Sequence, residues 1–232
     1  VVSLYEGKTK FDIIIVPLGV MILCMGGIYL AYPFIWLINQ LGILIEKATE
    51  ITPFFMGIII AVIMGVLLTM PTSSAAIWIA VAAGKTSDAM LIAGGAAVVG
   101  CSCHMIGFAV ASFRENGVSG LVSQGLGTSM LQIPNIMKKP VIMLPEIIAS
   151  AILGPVSTCV FGLKCNAAGG GMGTSGLVGV FGTIEASASM EPWLLGLGIT
   201  LLLFVLPAAI CFGLSELFRK LGWISFGDQK LD

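Results

Sequence analysis

The residues able to do chemistry in this sequence are few and set among apolar neighbours. His104 is the single histidine and follows Cys101-Ser102-Cys103. Glu146 stands in Leu144-Pro145-Glu146-Ile147, and Glu185 in Gly182-Thr183-Ile184-Glu185-Ala186. Small neutral polar groups are more plentiful: Thr72, Ser73 and Ser74 follow Pro71, and Asn166, Thr174 and Ser175 punctuate a glycine-rich tract. Such hydroxyls and amides donate and accept hydrogen bonds without net charge. That is the lining a neutral, hydroxyl-rich solute needs. If the glycine-rich tract re-enters the protein, Glu185 is placed to accept hydrogen bonds from a polyol; otherwise it is a loop charge beside Glu191. His104 reads as a solute contact or as a hydrogen-bonded packing residue. Glu146 reads as a ligand group or as a solvated helix end.

Other chemistries find little support. The spacing of Cys101, Cys103 and His104 matches no standard zinc or haem pattern, so no metal or other cofactor is expected. Most of the six cysteines read as small buried hydrophobes. No G-x-x-x-x-G-K-[ST] run is present to hold a nucleotide. An ion channel, the blandest alternative, would show rings of charge or a carbonyl filter.

One internal repeat stands out. Gly125-Leu126-Gly127-Thr128-Ser129-Met130-Leu131 returns as Gly171-Met172-Gly173-Thr174-Ser175-Gly176-Leu177, a G-x-G-T-S-x-L pattern. Transporters carry paired glycine-interrupted segments at corresponding positions, and these mark the substrate site. Chance likeness in a chain with 30 glycines is the rival explanation.

Positioning these residues requires elements suited to lipid. The 232 residues are 57% hydrophobic and only 10% charged, and the mean hydropathy is +1.06. Too little polar surface exists to coat one soluble core, so the bilayer is the expected solvent. A net charge of −1 excludes a polybasic nucleic-acid footprint.

Charges and prolines divide the chain into five expected crossings: residues 13–32, 51–70, 86–113, 140–163 and 192–214. Pro33 to Glu50 and the tail from Ser215 onward read as amphipathic helices lying in the interface, the former also as a proline-kinked continuation of the first span. Pro71 to Ala83 reads as a broken helix at membrane depth or as a loop. Residues 118–137 and 166–187 are glycine-rich and poor in helix formers. The first is expected to be short or re-entrant; the second is long enough to cross, but non-helical backbone at membrane depth must be buried in protein or line water. On Gly94, Ala97 and Cys101, small side chains share a face and allow close approach by a neighbouring helix. The expected fold is thus all-α and integral to the membrane, with about five transmembrane helices, re-entrant or broken segments and an interfacial helix, in one permease-like domain over 1–232. Alternating the loops places four basic residues on one side and seven, including those of the tail, on the other. The positive-inside rule then puts the tail in the cytoplasm.

Met70-Pro71-Thr72-Ser73-Ser74-Ala75-Ala76-Ile77, the run N-A-A-G-G-G-M-G-T-S-G-L-V-G from Asn166 to Gly179, and the opening G-K-T-K-F-D-I-I-I-V-P-L from Gly7 to Leu18 resemble the IIC-type membrane subunits of the bacterial sugar phosphotransferase system. The branch most similar includes perfringolysin-regulator-like membrane proteins. The resemblance runs over nearly the whole chain. It implies a multi-pass, usually dimeric permease of the bacterial plasma membrane that passes a carbohydrate to a cytoplasmic IIB-type partner for phosphorylation. Members of the branch extend further at the N-terminus, which implies that this chain is the C-terminal part of a longer protein. In better-understood IIC families a Glu in G-I-T-E-P and a separate His contact the sugar. Here Gly182-Thr183-Ile184-Glu185-Ala186 echoes that motif with the middle pair swapped and Ala in place of Pro, and no surrounding motif supports His104. The resemblance so implies a solute site drawn from Glu185, His104, Asn166, Thr174, Ser175, Thr72 and Ser73. Some members of the branch are regulators, so a membrane sensor without transport activity is the alternative.

Overall fold

A computed structural model describes residues 12–231, and no β-strand occurs among them. The expected all-α membrane architecture is therefore met. These residues divide after Leu41 into two compact units. The first is the N-terminal part of helix α1 (Asp12–Ile51), which contains Pro17 and Pro33. Because α1 runs unbroken through Pro33, a separate interfacial helix from Pro33 to Glu50 does not form. A proline removes one backbone bond and is tolerated where long apolar runs on both sides favour a helix. Of the opening motif, Gly7 to Phe11 lies outside the described residues.

The second unit, residues 42–231, contains the remaining helices: α2 (Pro53–Thr69), α3 (Ser74–Ala82), α4 (Asp88–Ala111), α5 (Phe113–Val122), α6 (Ile133–Lys138), α7 (Leu144–Pro155), α8 (Val178–Ala186), α9 (Pro192–Ile199) and α10 (Leu206–Lys220). Their starts follow from local chemistry. Proline occupies the first turn of α2, α7 and α9, where its missing N–H costs nothing. Ser73 caps α3 by accepting from the Ala76 amide at 3.2 Å, and Ser87 caps α4 by accepting from Met90 at 3.3 Å.

Three helical runs among the described residues are long and apolar enough to cross a membrane: Asp88–Ala111, Pro140–Phe161 and Pro192–Lys220. They match the third, fourth and fifth expected spans. Hydrogen bonds fix their sense. Thr158 Oγ1 donates to the Pro53 carbonyl at 3.0 Å, and Lys164 Nζ pairs with Asp88 at 2.9 Å. The starts of α2 and α4 and the finish of the second crossing thus share one end of the bundle, the Lys164 end. Three ion pairs, Arg114–Glu216, Lys139–Asp228 and Arg219–Glu115, gather at the other, the tail end.

The second expected span departs from this pattern. Helix α2 has 17 residues and runs alongside α4, with Gly100 pressed against the Ala61 carbonyl. Past Pro71 the chain turns back as α3 and reaches Asp88 at the Lys164 end again. Residues 53–87 therefore enter and return, so the count of five full crossings is corrected. Of the two readings of Pro71 to Ala83, the broken helix at depth holds: Ser74 Oγ donates to the Gly171 carbonyl at 2.7 Å, and both residues are buried. The correction also moves Lys47, near the end of α1, from the tail side to the Lys164 side.

Small residues set the helix spacing. Gly57 and Gly154 bring the backbones of α2 and α7 into contact. Gly94 and Gly95 of α4 are closed off by the carbonyls of Cys165 and Leu163. At Gly94 the close neighbour is thus an irregular segment, where a helix was expected, while Cys101 of the same face approaches the Met64 carbonyl of α2 at 3.5 Å.

The tail is corrected in part. Helix α10 ends at Lys220, and residues 221–231 fold back as turns. Phe218 and Ile224 join Phe108, Ile136 and Ile142 in one buried cluster. Phe218 is thus covered by protein, while Leu217, Leu221 and Trp223, the rest of the expected apolar face, stay exposed.

Candidate functional site

Two irregular hairpins enter the bundle from opposite ends. From the tail end, α5 leads through a π-helical turn (Ser123–Gly127) and a 3-10 turn (Ser129–Gln132) into α6. From the Lys164 end, a run of turns leads through a second 3-10 turn (Ser175–Leu177) into α8. Gly173 takes φ +56° with its Cα against Cys101 and Ser102 of α4, where a side chain has no room. Leu177, at φ 60°, is the only non-glycine residue in the left-handed region among those described, a strained conformation of the kind held at functional sites.

The two tips meet, and they are the two copies of G-x-G-T-S-x-L. Thr174 Oγ1 donates to the Gly125 carbonyl at 2.6 Å, and Ser175 Oγ to the Gly127 carbonyl at 2.9 Å. In both copies the threonine precedes a 3-10 turn. Thr174 is fully buried and Ser175 half-buried.

A buried polar chain adjoins the first tip. Thr69 Oγ1 lies 2.9 Å from His104 Nδ1, 3.1 Å from Ser129 Oγ and 3.2 Å from the Gly65 carbonyl. A hydroxyl has one proton and two lone pairs. Donation to Gly65 leaves Thr69 accepting from His104 Nδ1–H and from Ser129. His104 Nε2 is then a lone-pair acceptor, and it has no partner. His104 is wholly buried, facing α2 at Gly65, where any side chain would strike the imidazole.

Asn166 closes the neck of the second hairpin. Its Oδ1 accepts from the Gly169 amide at 2.8 Å, its own amide donates to the Gly182 carbonyl at 3.3 Å, and its Nδ2 donates to Glu185 Oε2 at 2.7 Å. Glu185 is exposed on α8, with its carboxylate oriented by Asn166.

The expected site residues thus fall into separate groups. Asn166 pairs with Glu185; Thr174 and Ser175 bind the other hairpin; His104 joins Thr69 and Ser129. Thr72 and Ser73 remain exposed and serve local structure: Thr72 Oγ1 donates to the Leu67 carbonyl at 2.9 Å, and Ser73 is the α3 cap. Their neighbour Ser74 is the one that reaches the glycine tract. Two members of the polar chain were missed from sequence. Ser129 carried a signal, since it corresponds to Ser175 in the repeat; Thr69, an ordinary residue closing an apolar helix, carried none. A polar cleft of about 400 Å³ lies elsewhere, at the tail end between Glu115, Asn116, Ser119, Ser123, Leu131 and Leu231.

Comparison with known proteins agrees with this architecture. The family model described as "Phosphotransferase system, EIIC" matches residues 1–231. No curated protein and no solved structure matches the chain. A match over nearly the full length shows that this chain belongs to the EIIC family of the phosphotransferase system, as one of its membrane components.

Proposed function

We propose that the chain forms the carbohydrate-conducting part of a IIC-type permease in the bacterial plasma membrane, presenting sugar to a cytoplasmic IIB-type partner. The observation that carries this reading is the tip-to-tip meeting of two re-entrant hairpins at their shared G-x-G-T-S-x-L motif. Irregular backbone at membrane depth is stable only inside protein or along a wet path, and broken segments from opposite faces are how transporters build a midplane site. Hydroxyls of Thr174, Ser175 and Ser129, the acceptor of His104 and the Asn166–Glu185 pair are the polar groups of these tips and their neighbours, and the buried ones among them would meet a solute when the tips part. Each hydrogen bond to a sugar hydroxyl would contribute on the order of 1 kcal/mol net. Relative motion of the hairpins would alternate access. Six of the nine Lys and Arg residues between 42 and 231 are at the tail end, which supports a cytoplasmic tail.

The test is reconstitution of the complete protein in vesicles with cytoplasmic phosphotransferase components and phosphoenolpyruvate. Sugar phosphate should form, and Glu185→Gln should lower its rate at least tenfold at equal amounts of folded protein. Sugar binding without phosphorylation would instead assign the protein to the regulators, and an unchanged rate would remove Glu185 from the site.

A further inference from the structure

The bundle holds a fully buried carboxyl group that the carbohydrate site does not use. Glu146, in the first turn of α7, has no solvent-exposed surface, and neither of its oxygens has a hydrogen-bond partner. It is therefore not a solvated helix end. It lies where all three crossings converge. A Cβ at Gly107 of α4 would stand 2.8 Å from Glu146 Cγ and 2.7 Å from Cys211 Sγ of α10. The absence of that side chain is what makes room for the carboxyl group.

No charge compensates it. The titratable groups facing Glu146 are the thiols of Cys103 on α4 and Cys211 on α10. The Cys211 thiol is directed at the backbone carbonyls of Cys103 and Pro145, at 3.7 and 3.9 Å. Of the other segments packed on α7, Pro53–Thr69 and Pro140–Met143 contain no titratable residue, and Val156–Phe161, which continues it, contains only Cys159, which is exposed. On α10, Arg219 is engaged with Glu115, Gln229 and the Ala111 carbonyl. A carboxylate with no side-chain donor and no cation beside it, sealed from solvent, is costly to keep ionised. A proton removes that cost. Larger cations need several ligands around them, and no group of three or more His, Cys, Asp or Glu side chains suited to a metal ion occurs among the described residues.

We propose that Glu146 is a proton-binding site of the helix bundle. It carries a proton while α4, α7 and α10 are packed as seen, and it gives that proton to water only when their junction opens. The packed state holds one proton more than the opened state, so a rise in pH favours opening, by up to about tenfold in the ratio of the two states per pH unit. The site is separate from the hairpin tips and stands whether the solute is a sugar or not.

Infrared spectroscopy of the full-length protein in lipid tests this directly. With ¹³C at the glutamate side-chain carboxyl, a protonated, non-hydrogen-bonded C=O stretch should be present at neutral pH and should carry the isotope shift. It should vanish in Glu146→Gln. In a second measurement, hydrogen exchange of the α4, α7 and α10 amides should accelerate as pH is raised beyond the intrinsic chemical rate, and Glu146→Gln should lose the excess. An isotope-sensitive spectrum containing only ionised carboxylates at neutral pH would overturn the proposal in the wild-type protein alone, even if the variant failed to fold. An equal pH dependence of exchange in a folded Glu146→Gln would overturn it as well.

Discussion

Thr174 Oγ1 donates to the carbonyl of Gly125 at 2.6 Å, joining the fourth residue of one copy of a repeated motif to the first residue of the other. The contact is not reciprocated. Thr128, the counterpart of Thr174, accepts from the Met130 amide within its own turn, and Ser129, the counterpart of Ser175, turns to Thr69. The two hairpins therefore share a motif and a local conformation while using it differently. One tip anchors itself on the other, and the other anchors on α2 and α4.

Thr174→Val tests that anchor. It keeps the side-chain shape and strands a buried carbonyl, which costs about 1–3 kcal/mol. The unfolding midpoint of the detergent-solubilised protein should fall accordingly. Ser175→Ala, at a half-buried position, should cost less than Thr174→Val. An unchanged midpoint for Thr174→Val would show that the tips are not coupled.

Glycine substitutions should divide by position. Gly100→Ala drives a Cβ into the Ala61 carbonyl, and Gly95→Ala drives one into that of Leu163. Both neighbours are backbone and cannot yield, so neither variant should give a monodisperse peak on size-exclusion chromatography. Gly213→Ala in α10 meets nothing within 4 Å. It should be tolerated and gain up to about 1 kcal/mol of helix propensity.

Asp228 makes the tail sensitive to acid. Burial pushes its carboxyl up, but the hydrogen bonds from Lys139 and the Ser225 amide and the charges of Lys139 and Arg219 outweigh burial and leave it below its ordinary value. A depressed carboxylate contributes stability that is present above its unfolded-state pKa and lost as pH falls through the folded-state value. Hydrogen exchange at the Ser225 amide, which donates to Asp228 at 2.6 Å, should therefore quicken, relative to its intrinsic rate, below the normal carboxylate range. Asp228→Asn should abolish that acid response.

Glu115 ties the tail to α5. Its carboxylate accepts from Arg219 at 3.0 Å and from the Gly227 and Gln229 amides at 3.1 and 2.8 Å. With side chains only 1% and 11% exposed, removing one partner leaves a buried charge unpaired, at a cost of roughly 3 kcal/mol. Glu115→Ala should release residues 225–231 to limited proteolysis, while Arg114→Ala, whose side chain is 57% exposed in its pair with Glu216, should not.

Much of the fold was legible from composition and punctuation. Hydrocarbon tolerates few charges, so the positions of Asp88, Arg114, Lys139 and Lys164, with Pro140 and Pro192, marked the three crossings to within a few residues. Glycine content identified the two segments that could not be plain helices, and the repeat linked them. Hydropathy could not separate α2 from a crossing, because its composition is the same as that of a true span; the return through Pro71 and α3 rests on Ser74 meeting Gly171 and on Thr158 meeting Pro53. In the tail, Leu217, Leu221 and Trp223 stay exposed as an apolar face should, but sequence does not reveal that Phe218 turns inward onto Phe108 and Ile136.

The site divides along the same line. Residue types and spacing alone determined that neutral hydroxyls, one histidine and a few carboxylates would do the chemistry in an apolar bundle, since each polar group at depth stands out against hydrocarbon. Only the tertiary structure decided that the two repeat copies touch, that Thr69 bridges His104 and Ser129, and that Glu146 is sealed between Gly107 and Cys211. Those are distances between residues tens of positions apart, and they depend on how closely glycine lets helices approach, which no local pattern encodes.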